Sequence, residues 1–191
     1  HLVPAEDTRW MLSLLRPRLE TARERQLGLD AAAFARSRKL LSKGLRDDPL
    51  PRDDVYALLD RGGVSTAGQR GIHVISRLAQ EGFLCYGARK GKQQTFALLD
   101  TWVPSSSSRK LAREEALGEL ARRFFAGHGP ALLRDFTWWS GLPAADAREA
   151  LALAAPALVN EERGGESYWL SPRAPRPRAA DGSVSLLPPF D

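Results

Sequence analysis

Gln69, Arg70, His73 and Arg77 are four side chains able to bond to a nucleic-acid base edge or a phosphate oxygen. Steps of i, i+4 from position 69 and of i+3, i+7 from position 70 put them near one face of a helix. A little further on, Arg89-Lys90-Gly91-Lys92 carries three positive charges in four residues. Arg presents a planar fork to phosphate and Lys a compact point charge. The chemistry these residues could do is therefore recognition of a polyanion. Gln69, Arg70, His73, Arg77, Arg89, Lys90 and Lys92 are the candidate DNA-binding residues. The plain alternative for the basic run is a solvated hairpin tip.

The elements that would position them follow from the pattern around them. Pro4 to Leu15 reads as a helix with Glu6 and Asp7 in its first turn, where the helix dipole favours acids. A charged helix from Pro17 to Leu27 is ended by Gly28. Asp30 caps a third helix, and Asp47 to Pro51 breaks the chain. Asp53 to Arg61 is a short helix with Val55, Leu58 and Leu59 inward. After the turn at Gly62-Gly63, Ser65 or Thr66 caps a helix running to Glu81, with Ile72, Ile75, Leu78 and Ala79 as its apolar positions. Phe83–Gly87 and Gln93–Leu99 then read as two strands around the turn at residues 88–91. Helix, helix, turn, helix, hairpin is the order of a winged helix, and the hairpin is its wing.

The same order returns after the polar linker Pro104–Ser108. Lys110–Ala126, Ala131–Trp139 and Pro143–Ala155 read as helices, and 157–161 and 166–170 as strands around Arg163-Gly164-Gly165. The second copy lacks the reading surface of the first. Its third helix carries Asp146 and Glu149 against Arg148, and its hairpin carries Glu161, Glu162 and Glu166. Carboxylates nearest the phosphates would repel a duplex, so this copy is expected to be structural or to face a partner. Trp138 and Trp139 suit packing, at least one of them in the core, or a platform for an unstacked base.

The expected fold is thus mainly α with small β-hairpins, an α+β chain of tandem winged helix-turn-helix domains. Residues 1–28 are expected to be a helical segment belonging to an upstream winged helix and 29–103 the first complete one. Residues 104–108 are the linker, 109–171 the second winged helix and 172–191 a Pro/Arg-rich connector, with 184–187 as one more strand.

Composition agrees with a phosphate partner. The 191 residues include 28 Lys and Arg against 23 Asp and Glu, a formal charge of +5. Most of the bases are Arg, which a GC-rich genome would also produce. Length allows one large domain or two small ones. Cys85 is the single cysteine, so no internal disulfide forms and a cytoplasmic protein is expected. His1, His73 and His128 are too scattered to suggest a metal site. No cofactor, membrane span or signal peptide is expected, and no heptad helix suggests a dimer, so a monomer is expected.

Three stretches resemble one family. His1-Leu2-Val3-Pro4-Ala5-Glu6-Asp7-Thr8-Arg9-Trp10, Arg134-Asp135-Phe136-Thr137-Trp138-Trp139-Ser140-Gly141-Leu142 and Leu186-Leu187-Pro188-Pro189-Phe190-Asp191 look like signature stretches of the bacterial winged-helix DNA-binding family that contains the AlkZ-type DNA glycosylases. The resemblance covers essentially the whole chain. It implies winged helices, usually three, around a concave basic channel. It also implies hydrolysis of the N-glycosidic bond of alkylated purines or unhooking of interstrand crosslinks. The partner is then double-stranded DNA. The family's Gln-x-Gln or Gln-x-Asp motif, which lies before the stretch equivalent to His1, has no counterpart here. Gln26, Gln69, Gln80, Gln93 and Gln94 include no pair at spacing two. The chain is therefore read as a fragment lacking the catalytic region and inactive by itself, its catalytic residues unknown. His1 could face a channel or be a frayed end, and Asp135 could assist catalysis or cap a helix. The alternative function is a non-catalytic winged-helix transcriptional regulator.

Overall fold

A computed structural model describes residues 3–15 and 22–174. The expectations for residues 17–21 and 184–187, for His1, and for the last signature stretch lie outside the described residues. The fold is α+β, with small antiparallel sheets among short helices. The chain divides into two compact units, His1–Ala116 and Leu117–Asp191.

In the first unit a 3-10 turn, Ala5–Asp7, leads into α1, Thr8–Leu15. Buried Asp7 accepts from Trp10 Nε1 at 2.8 Å and from Arg109 at 3.2 Å. Arg9 donates to Asp100 at 2.8 Å and to the Val103 carbonyl at 2.7 Å. These bonds tie residues 7–10 to residues 100–109 of the same unit, across the boundary expected at residue 28.

α2, Ala22–Gln26, is a short helix. It ends where Gly28 takes a φ of +63°, backbone that glycine adopts without a Cβ penalty. α3, Ala31–Gly44, is capped as the sequence suggests: the Asp30 carboxylate accepts from the Ala33 N–H at 2.8 Å.

The break at 47–51 ends in a strand. β1, Leu50–Pro51, pairs antiparallel with β3, Thr95–Leu98, at Leu50↔Phe96 and Pro51↔Thr95. A proline read as a breaker is compatible with a strand at a sheet edge, where its missing N–H costs no ladder bond. α4, Arg52–Arg61, follows directly. β2, Leu84–Tyr86, covers the other side of β3, so the sheet order is β1-β3-β2. Leu99 does not extend β3; it begins α6, Leu99–Trp102.

α5, Arg70–Gln80, begins later than Ser65 or Thr66. Thr66 is held away from helix capping by Asp60, which accepts from its N–H at 2.7 Å and its hydroxyl at 2.8 Å. Val74, Ile75 and Leu78 are buried along α5, whereas Ile72 is 40% exposed. The inner stripe therefore runs through 71, 74, 75 and 78. Leu41, Val55, Leu59, Leu84 and Phe96 complete the core beneath it. Each such buried side chain contributes roughly 1.5–3 kcal/mol.

The second unit holds most of α7, Arg113–His128, then α8, Leu133–Ser140, and α9, Ala144–Ala154. The helix read from Lys110 begins three residues later, and α8 begins at Leu133 because Ala131 is used elsewhere. Its N–H and carbonyl exchange bonds with Trp169 at 3.0 and 2.8 Å. Trp169 lies in β5, Glu166–Leu170, which pairs with β4, Val159–Arg163. Phe125 and Phe136 are fully enclosed, with Leu117, Leu120 and Ala150. Both units thus run helix, strand segment, helix, helix, hairpin, and in both the early strand segment pairs with the last strand.

Candidate nucleic-acid interface

The seven candidates fall into two groups. Gln69, Arg70, His73 and Arg77 lie on or beside α5, as their spacing indicates. Arg89, Lys90 and Lys92 lie in the β2–β3 connection.

The α5 group does not present a free reading face. Arg77 is enclosed: its side chain is 14% exposed, with Nε 2.6 Å from Glu81 and an Nη 3.0 Å from Glu24, itself 8% exposed. Its guanidinium lies 5.2 Å from the centre of the Phe34 ring. Half-buried Arg70 donates to the carbonyls of Ser65, at 3.0 Å, and Leu27. Gln69 is exposed and accepts from Arg23 at 2.6 Å. His73 is half-buried one turn on. Arg70 and Arg77 thus carry intramolecular bonds that their reading as DNA-binding residues did not include. Three of the four residues meet the segment 23–27, which spacing within α5 could not reveal. Partners 43 to 53 residues upstream leave no local signal.

The glycines at the start of α5 have different uses. Gly68 has a φ of +61° and open space where a Cβ would stand, so it turns the chain. A Cβ on buried Gly71 would lie 2.6 Å from the Tyr56 ring on α4. Gly71 thus lets α5 approach α4 closely.

The group in the β2–β3 connection is different. Lys90 and Gln93 exchange backbone bonds at 3.1 Å in both directions, closing a tight loop over Gly91-Lys92. Gly91 has a φ of +59°, as a two-residue hairpin loop favours. Arg89, Lys90 and Lys92 are all exposed, and among the described residues none meets a carboxylate. Their charge is left for a partner.

A cleft of about 520 Å³ opens between α2 and α3, lined by Glu24, Arg38, Arg77 and Glu81 among others. Arg38 and Arg77 both pair with Glu81, and Arg77 with Glu24. Its lining holds three bases, Arg25, Arg38 and Arg77, against three acids, Glu24, Asp30 and Glu81, so it offers no net formal charge to an anion.

In the second unit the hairpin acids have local partners. Glu161 pairs with Arg163 at 2.9 Å, and Glu166 with Arg134. The Arg134 hydrogen bond holds the Glu166 carboxyl below its usual range. Asp135 caps α8, its carboxylate accepting from the Leu132 N–H at 2.8 Å, which is the structural role the sequence allowed it. Neither of the paired tryptophans is in the core, as at least one was expected to be: Trp138 is 87% exposed, and Trp139, with ring centres 5.1 and 5.8 Å from Phe124 and His128, is 37% exposed at the edge of that aromatic cluster.

Helices in this order, each trio closed by an antiparallel hairpin, define the class to which the chain's fold belongs, and a solved structure shares it. The DNA glycosylase AlkZ of Streptomyces sahachiroi superposes with a TM-score of 0.66 at 18% identity, over 90% of this chain and 49% of that one. The chain spans about half the length of that protein. The sequence model of the family described as DNA glycosylase AlkZ-like matches residues 1–191. The chain belongs to the AlkZ-like DNA glycosylase family. No curated protein matches the chain. Among the described residues, no helix is long and apolar enough to cross a membrane.

Proposed function

We propose that this chain supplies a duplex-binding, tandem winged-helix part of a DNA-repair glycosylase that acts on alkylated or crosslinked bases. Family membership supports the reaction class. The shared element order of the two units, with an early strand segment closing each hairpin sheet, supports the winged-helix reading. The observation that carries the binding reading is the wing of the first unit. Three exposed cations stand on a closed hairpin loop without carboxylate partners among the described residues. Phosphate contact there releases counterions, and this sequence-independent term supplies much of the affinity of DNA-binding proteins.

Hydrolysis of an N-glycosidic bond develops positive charge on the sugar and needs a polar group to position water. Gln26, Gln69, Gln80, Gln93 and Gln94 include no pair at spacing two, and no residue of this chain is assigned that step.

The test is fluorescence anisotropy of a labelled mixed-sequence duplex across a salt series. Wild type should bind with a steep salt dependence. Arg89→Ala/Lys90→Ala/Lys92→Ala should bind more weakly, with a log–log slope shallower by about 3. An unchanged slope would remove the wing from the interface. No binding by wild type at low salt would overturn the duplex-binding reading.

A further inference from the structure

The recognition helix of a winged helix ordinarily offers its outward face to a groove. Here α2 lies against that helix. Arg23 bonds to Gln69 at 2.6 Å, the Leu27 carbonyl accepts from Arg70, and Glu24 accepts from Arg77 at 3.0 Å. A Cβ on Gly28 would stand 3.2 Å from the Arg70 guanidinium. The contacts run from residue 69 to residue 77, over two turns of α5. A duplex approaching along the side carrying Gln69, Arg70 and Arg77 meets α2 first.

The charges of α2 are sorted by direction. Glu24, the only acid in Ala22–Gln26, is turned inward and buried against Arg77. Arg23, Arg25 and Gln26 are exposed. Arg23 touches two neutral amides, Gln69 and Gln26. Among the described residues neither Arg23 nor Arg25 meets a carboxylate. With its one acid, Glu24, taken up by Arg77 of α5, α2 presents two uncompensated guanidiniums outward. We infer that α2, rather than the groove-reading face of α5, is a phosphate-contacting element of the first unit, with Arg23 and Arg25 gripping the DNA backbone while Arg70 and Arg77 brace α2 from behind.

This inference rests on the duplex-binding reading, and the test separates the two. Duplex binding by wild type, Arg23→Ala/Arg25→Ala, Arg23→Lys/Arg25→Lys and the wing triple variant would be measured by anisotropy over the same salt range. The alanine pair should reduce the salt slope by about 2 and weaken binding about tenfold between low and physiological salt. The lysine pair should restore the slope. Both side chains are exposed, so thermal unfolding by circular dichroism should change little. If the wing variant loses affinity and the alanine pair keeps wild-type affinity and slope, α2 is not an interface element and the duplex-binding reading stands. If wild type binds no duplex at low salt, both fall together.

Discussion

Arg77 sits with its guanidinium over the Phe34 ring and between Glu24 and Glu81, while Arg89 stands in solvent at the tip of a hairpin. The same side chain serves opposite ends in the two places. Removing one partner of a buried ion pair leaves the other charge without compensation, which costs roughly 3–5 kcal/mol. An exposed substitution away from packing usually stays within about 0.5 kcal/mol. Arg77→Ala should therefore lower the urea midpoint strongly, and Arg89→Ala should leave it where it is. Equal midpoints for the two variants would contradict the enclosed position of Arg77. The consequence for binding studies is direct: a loss of DNA affinity in Arg77→Ala would report a damaged unit, and the proposed contact is tested at the cations of the β2–β3 loop and of α2 instead.

The turn between α4 and α5 carries a prediction about elements. Asp60 holds it by accepting two bonds from Thr66, and the hydroxyl bond first, then the backbone bond, keep its carboxyl below the usual range. A carboxyl that titrates lower when folded adds stability that is complete above its unfolded pKa. That stability is lost as pH falls through the lowered folded value. Wild type should exceed Asp60→Asn in urea midpoint near pH 7, and the gap should close as pH falls below the usual aspartate range of about 4 and through the lowered folded value. A gap that persists unchanged into acid would mean that the Asp60–Thr66 bonds do not depend on ionisation. Asp60 also explains why α5 starts at Arg70: with Thr66 held back, residues 67–69 turn at Gly68 before the helix can begin.

At the scale of the molecule, the two units repeat one element order with opposite hairpins. The first hairpin carries Arg89, Lys90 and Lys92; the second carries Glu161, Glu162 and Glu166. Glu161 pairs with Arg163 and Glu166 with Arg134, which spends part of that acidity locally. If the acidic hairpin stays out of the interface, Glu161→Gln/Glu162→Gln should keep duplex affinity within about threefold of wild type and leave the salt slope unchanged. A large gain in affinity would show that these carboxylates stand near the phosphates. In Thr137-Trp138-Trp139-Ser140-Gly141, Gly141 ends α8 at a φ of +67°, Trp139 covers the Phe124 ring from a partly exposed position, and Trp138 stands in solvent. The stretch closes one helix and leads into the next.

Local patterns settled most of the element order. The Asp30 cap, the Gly28 and Gly141 helix ends, the apolar stripes of α4 and α7 and the tight Gly164-Gly165 turn each depend on residues within one or two turns of one another. Their physics is contained in a short window, so the sequence alone determines them, as it determines the basic β2–β3 loop. The edge strand at Leu50–Pro51 and the Ala131–Trp169 pairing were not legible, because a strand of one or two residues has no period and exists only through a partner far along the chain. The same holds for the face of α5. Spacing grouped Gln69, Arg70, His73 and Arg77 on or beside one helix, but only the tertiary structure decided what those side chains meet. Charge is a property of a residue, whereas its availability depends on every group packed around it: Glu24 takes up Arg77, and Arg23 and Arg25 remain in solvent.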